Sequence, residues 1–219
     1  MCGRFAITLP SDAVAQLFDA KPANNLPDVP NFNVCPTNLI HVITADQFGR
    51  KLENIRWGFV PVWYKKINAG PLLINARSET LANKPAFAKA CRQGRCLIPC
   101  FGFYEWSLDN QGKKIPWFVK RLDNEPLVFG GVWEEWSSDS EKIKTCAIVT
   151  TPSNRSMSAI HHRLPLILEK NQWGFWLGEK GHGASVLMRP TDDKTLTTHK
   201  VSLAINSNKS FGPELINPV

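Results

Sequence analysis

What the chain lacks narrows its class before any motif is read. No segment approaches the ~20 consecutive apolar residues that cross a bilayer. Residues 1–20 hold no basic stretch followed by an apolar run. Neither a membrane anchor nor a secretory leader is expected, so the expected compartment is the cytoplasm, beside the nucleoid in a bacterium. The paired C-x-x-C of common zinc sites is also missing, because Cys91, Cys96 and Cys100 have four and three residues between them. No metal and no cofactor are expected, and the six cysteines read as reduced thiols rather than a disulfide framework. Internal repeats and linker-like stretches are absent as well, which predicts one domain spanning residues 1–219. Acidic residues fall short of basic ones, 19 against 26, leaving a net charge of +7. A polyanionic partner fits that balance, although charge alone says nothing about fold.

What is present is an ordinary globular composition, 43% hydrophobic and 21% charged, sufficient for a substantial core. Ser11 is a candidate N-cap for DAVAQLFDA, which places Ala13, Val14, Leu17 and Phe18 on one helical face. Residues 21–38, rich in proline and asparagine, predict a long loop. LIHVITAD and LENIRWGFV predict an antiparallel pair, and RCLIPCFGFYEW, IPWFVKRL, LVFGGVWEEW and KTCAIVTT predict a meander of further strands. Helical pattern returns at PAFAKACRQG, with Pro85 at the first position and Gly94 at the stop, and near KNQWGFWLG and HGASVLMR. Strands outnumber helices, so the fold class is α+β: a single domain with a curved, barrel-like, mainly antiparallel sheet flanked by short helices.

Four stretches carry chemistry where structure alone predicts apolar or turn residues: MCGRF, INARSET, GFYEW and IHHRLP. Removal of Met1 gives Cys2 a free amine beside its thiol. Such an amine titrates near neutrality and opens two reactions. The thiolate can attack an acyl carbon with the amine as base, or the amine can condense with an aldehyde and the thiol close on the imine carbon as a thiazolidine. Strand alternation puts Glu105 on the face of Phe103, where burial raises a carboxyl pKa and suits it to proton transfer; the competing reading places it on the solvent side of an edge strand or in a pair with Arg77. An extended backbone points Asn75 and Arg77 the same way, with Glu79 following. His161 and His162 enter a strand from a loop, and as neighbours only one of them is expected to face a given site.

MCGRF, FNVCPT, RWGFVPVW, LINARSET, RCLIPCFGFYEW, IHHRLPLIL and ELINPV, in this order along nearly the whole chain, closely resemble the SOS-response-associated peptidase (SRAP) family. The resemblance implies the SRAP fold and a self-sacrificing chemistry on damaged DNA. In it, mature Cys2 joins the ring-opened aldehyde of an abasic site in single-stranded DNA as a thiazolidine. It assigns the link to Cys2, positioning of the sugar and N-terminus to Asn75, and acid/base work to Glu105. His161 is assigned sugar-hydroxyl protonation and reversal of the link; it is chosen over His162 because the family pattern reads His, any residue, Arg, then Pro two later. Arg4, Arg77 and Arg163 sit inside the motifs, where they could hold flanking phosphates. Trp63 and Tyr64 match a tryptophan pair of the family that suits stacking on bases, with core packing as the competing reading. Cys35 and Cys100 stand where relatives often carry alanine, and INSNKS matches loosely and receives no role. The implied partner is single-stranded DNA with abasic sites, met by a monomer; lyase activity and self-processing of Met1 are further implications. The alternative is an N-terminal-nucleophile cysteine hydrolase, since glutamine amidotransferases also begin Met-Cys-Gly and the family's name records a peptidase assignment.

Overall fold

β-branched and aromatic runs become thirteen strands among the residues that the computed structural model describes, 2–219. Met1, whose removal is expected, lies outside the described residues. In chain order the elements are β1 (Phe5–Ile7), α1 (Ser11–Phe18), β2 (Ala20–Pro22), β3 (Asn31–Val34), β4 (Leu39–Asp46), β5 (Gly49–Trp57) and β6 (Asn75–Arg77). There follow α2 (Pro85–Gln93), β7 (Arg95–Cys100), β8 (Gly102–Leu108), β9 (Lys114–Arg121), β10 (Leu127–Ser137), β11 (Lys142–Pro152), β12 (Arg163–Pro165), α3 (Trp173–Leu177) and β13 (Leu196–Lys200).

Five strands, in the order β5-β4-β7-β10-β11, pair antiparallel and close into a barrel where β11 meets β5 at Thr145↔Arg56 and Cys146↔Trp57. Strand directions cannot alternate all the way round a ring of five, so this closing seam is parallel. The short strands β2, β6 and β12 extend the barrel sheet. A second sheet runs β13-β9-β8-β1-β3. One face of the barrel strands, carrying Ile40, Val42, Ile55, Trp57, Ile98, Phe129 and Ile148, packs in one cluster with Cys2, Phe5 and Phe103. The other face is covered by the helices: Phe18 of α1 stacks on Trp173 of α3 at 4.3 Å, and Phe87 of α2 meets Phe59 edge-on at 5.2 Å. No helix among the described residues is long and apolar enough to cross a membrane.

The barrel-like antiparallel sheet and the helix bounds at Pro85 and Gly94 are as the sequence predicts, and several details differ. Pro10, not Ser11, holds the cap position of α1; Ser11 is already helical, and its Oγ lies 3.2 Å from His41 Nε2. The proline-rich 21–38 segment is not all loop, because β2 pairs with β5 and β3 with β1 between the prolines. The segment 184–187 is a 3-10 turn and not a longer helix, entered from Gly183 at φ 136°. The strands from β7 to β11 are not one meander, since the β8–β9 hairpin lies in the second sheet while β7 and β10 pair with each other in the barrel.

RCLIPCFGFYEW therefore breaks at Phe101, whose N–H donates to Ala6 O at 2.8 Å as the chain leaves the barrel. Gly102 makes the crossing possible: a Cβ there would sit 2.4 Å from Phe118 Cζ and 2.6 Å from Val119 O. The crossing carries Glu105 out of the barrel wall and alongside the N-terminal segment. Gly102→Ala is expected to lose about 1–3 kcal/mol of stability through this overpacking, measured by urea denaturation; an unchanged midpoint would show that the crossing has slack.

Candidate active site

The site begins with strand pairing. Phe5 lies opposite Phe103 and Tyr104 N–H donates to Arg4 O at 2.9 Å, so the N-terminal residues run antiparallel to β8. This pairing places Cys2 beside Glu105. Cys2 is buried, and burial, then the Glu105 carboxylate, pushes its thiol well above the usual range. Glu105 is only 2% exposed, which removes the solvent-face reading, and burial raises its pKa in turn.

Asn75 arrives from β6, which pairs with β11 at Ile148↔Asn75. Its Nδ2 donates to Cys2 O at 2.9 Å. Its Oδ1 is buried and has no hydrogen-bond partner among the described residues, an acceptor left for a further donor at Cys2. Ile74 O anchors the strand by accepting from Trp57 Nε1 at 2.9 Å and Ile148 N–H at 3.0 Å.

His161 brings its Nδ1 to 4.0 Å from Glu105 Oε1. The same nitrogen lies 3.0 Å from Arg163 N–H and 3.1 Å from Arg163 O. A neutral ring accepts from the N–H, and a ring protonated at Nδ1 donates to the carbonyl, so the backbone of Arg163 serves both states. Burial holds the His161 pKa below the ordinary value. The two histidines lie in a loop that enters β12, as the sequence predicts, but their rings stack at 4.4 Å instead of pointing apart. His161 is the one that meets Glu105, and His162 is exposed.

The arginines divide. Arg77 is exposed, on the wall of a cleft of about 700 Å³ that Asn75, Thr80, Asn83, Lys84 and Phe87 also line. Arg4 instead donates to Asn33 Oδ1 at 2.6 Å and Ile205 O at 3.0 Å. Arg163 is buried, paired through both terminal nitrogens with Glu79 and donating to Thr150 O at 2.6 Å. Glu79 thus leaves the Asn75–Arg77 face for Arg163, and the pairing of Glu105 with Arg77 does not occur. Trp63 is 56% exposed, which excludes core packing for its ring, and Tyr64 meets it edge-on at 6.4 Å. Among the described residues no group of His, Cys, Asp or Glu is arranged to hold a metal ion.

A family model described as SOS response associated peptidase (SRAP) matches residues 1–208. The chain belongs to the SRAP family. It is 35% identical to the abasic site processing protein YoqW of Bacillus subtilis (strain 168), across 99% of each chain. It is 28% identical to the abasic site processing protein YedK of Escherichia coli (strain K12), across 100% of each, and 28% identical to HMCES of Rattus norvegicus, covering 76% of that protein. A solved structure from Bacteroides thetaiotaomicron superposes over all of both chains with a TM-score of 0.87 at 21% identity, a likeness of fold.

One part of the candidate site received no role from the sequence, although it lies in the FNVCPT motif. Asn33, only 6% exposed, accepts from Arg4 and donates through Nδ2 to Ser207 O at 3.1 Å and Ser210 O at 2.6 Å, while Asn206 Oδ1 accepts from Trp106 Nε1 at 2.8 Å. The loosely matching INSNKS segment is thereby tied to the residues flanking Cys2. Its only sequence signal was that loose match.

The raised Glu105 pKa has a measurable consequence. A carboxyl whose folded pKa exceeds its unfolded value stabilises the fold fully below the unfolded value and loses that contribution as pH climbs through the folded one. Glu105→Gln keeps the shape without the ionisation. Its stability relative to wild type is expected to increase between about pH 4 and about pH 8, read by thermal melts at both pH values; a constant difference would mean that Glu105 ionises as freely folded as unfolded.

Proposed function

We propose that this protein processes abasic sites in single-stranded DNA by capturing the open-chain sugar aldehyde on Cys2. The observation that carries the reading is convergence: Asn75 and Glu105, from distant parts of the chain, meet the second residue, and His161 meets Glu105. The names of the relatives YoqW, YedK and HMCES point to the same lesion.

The chemistry follows from the atoms. After loss of Met1, the Cys2 amine adds to the aldehyde carbon, and the resulting carbinolamine expels water to give an iminium. The thiol sulfur then bonds to that carbon and the thiol proton is released, leaving a five-membered thiazolidine and one water. Glu105 is suited to protonate the departing hydroxyl, because burial keeps a proton on it at higher pH than an exposed carboxyl. Asn75 Nδ2 fixes the Cys2 carbonyl and its Oδ1 offers an acceptor to the amine or a sugar hydroxyl. His161, beside Glu105, handles the sugar hydroxyl and the reverse reaction. Cys2 burial supports this amine-first order over hydrolysis: a thiol held protonated is a poor acyl nucleophile yet can still add to an iminium carbon.

Exposed Trp63 offers a stacking platform and Arg77 a phosphate contact on the open cleft, features that suit an unpaired, bendable strand. Every proposed group comes from one chain, so a monomer suffices.

Mass spectrometry of purified protein is expected to show loss of Met1 and then, after incubation with abasic single-stranded DNA, a denaturation-resistant adduct at Cys2. Cys2→Ala and a protein with an uncleaved N-terminal tag are expected to form none. Glu105→Gln should slow formation on the order of 10²-fold, and His161→Ala should slow reversal by a similar factor. Turnover of glutamine or peptide without an adduct would replace this reading with the hydrolase one.

A further inference from the structure

Glu105 lies toward the rim of its sheet face, yet it is 2% exposed. Along β8 that face carries Phe103, fully buried in the core cluster, then Glu105, then Ser107, which is partly exposed. β9 supplies the facing row, with Val119 opposite Phe103, Trp117 opposite Glu105 and Ile115 opposite Ser107. Residues directly opposite in an antiparallel pair share a face, with Cβ atoms about 4.5–5.5 Å apart. Past Phe103 and Val119 the core cluster ends, so the side chain that stands across from Glu105 at the rim is the indole of Trp117.

That indole is held from two strands. Its Nε1 donates to Ser107 Oγ at 2.9 Å, so the ring leans diagonally toward β8, along the outer side of Glu105. On β13, Lys200 lies opposite Trp117 and its Nζ stands 5.6 Å from the ring centre, a cation–π contact. The half-buried ring thus separates a carboxyl from an ammonium. The other titratable groups facing Glu105 are the Cys2 thiol and, after loss of Met1, its amine, together with His161, whose Nδ1 is 4.0 Å away, and His162. Burial is the leading cause of the raised Glu105 pKa, and nearby positive charge works against it. An apolar wall that keeps out water and a lysine acts in the same direction as burial.

We propose that Trp117 is a positioning residue for Glu105: its indole walls the carboxyl on the rim side, keeping out bulk water and the Lys200 ammonium. Trp117 need touch neither the DNA nor the aldehyde. The consequence is chemical, because an acid that protonates a departing hydroxyl must still hold its proton near neutral pH. The inference rests on the proposed role of Glu105 only where adduct formation is measured; the wall itself is a property of the protein without DNA.

Carboxyl ¹³C signals of glutamate-labelled protein, with Glu105 assigned by its loss in Glu105→Gln, follow the titration of this group directly. In Trp117→Ala, Glu105 is expected to give up its proton at lower pH than in wild type. In Trp117→Phe, which restores a ring without the bond to Ser107, it is expected to titrate close to wild type. With abasic single-stranded DNA the sign follows: the acid of Trp117→Ala is deprotonated over a pH range in which the wild-type acid still holds its proton. The deficit in adduct formation is therefore expected to be on the order of tenfold near pH 7 and to shrink to less than about twofold near pH 4, where both acids are protonated. A folded Trp117→Ala whose Glu105 titrates as in wild type, or whose deficit is the same at both pH values, overturns the proposal. Should Trp117→Ala not fold, Trp117→Leu, too short to reach Ser107, carries the same expectations and the same refutation. Failure of wild type itself to form an adduct would instead count against the proposed function and leave the carboxyl titration as the judge of Trp117.

Discussion

The pairing of the N-terminal segment with β8 is the constraint on which the site depends. Chain termini usually fray, because few contacts repay the entropy of ordering them. Here Phe5 is fully buried, with Trp57 at 4.9 Å and Phe129 at 6.1 Å, both edge-on. Burying such a side chain contributes about 1.5–3 kcal/mol. That anchor sits three residues from Cys2, and the Tyr104-to-Arg4 hydrogen bond carries the register to its doorstep. Cys2 is thereby held by strand pairing and a buried anchor although it is only the second residue.

Burial that secures the terminus also sets its electrostatics. Cys2 and Glu105 are pushed up and His161 is pushed down, so all three shifts favour the uncharged form. On the proposed reading, proton transfer among neutral partners would avoid separating charge until an iminium forms, and the Glu105 carboxylate left after giving up its proton would be the counter-ion. Asn75 contributes a dipole and no charge, consistent with the same economy.

Much of this was legible in the sequence, and the rest was hidden for physical reasons. Alternation along GFYEW put Glu105 on the buried face of Phe103, and Pro85 and Gly94 bounded α2, because these signals are local. The break at Phe101 was not legible: the run is apolar on both sides, and what forces the crossing is the close approach of Phe118 and Val119 to Gly102. Asn33 stood in the FNVCPT motif without a role, because its partners, Ser207 and Ser210, lie 174 and 177 residues away. The arginines show the limit most clearly. A guanidinium inside a DNA-associated motif reads as a phosphate fork, yet Arg163 meets a carboxylate 84 residues earlier and Arg4 meets Asn33. Residue type announced the bidentate geometry, and only the fold could say which partner fills it.

That division separates attraction from chemistry on the proposed reading. With Arg4 and Arg163 directed inward, the exposed cations near the site are Arg77 and Lys84 on the cleft wall and Lys65 and Lys66 beside Trp63. Each is mobile and screened by salt, so each adds a small, replaceable share of affinity for a polyanion. The groups around Cys2 behave oppositely: Cys2 and Glu105 are buried and Asn75 Nδ2 donates to the Cys2 carbonyl, so a change in one is felt by the others. The net charge of +7 therefore bears on how readily a strand arrives, whereas what happens to an aldehyde once there is set by a few uncharged or internally balanced groups whose positions the β1–β8 pairing fixes.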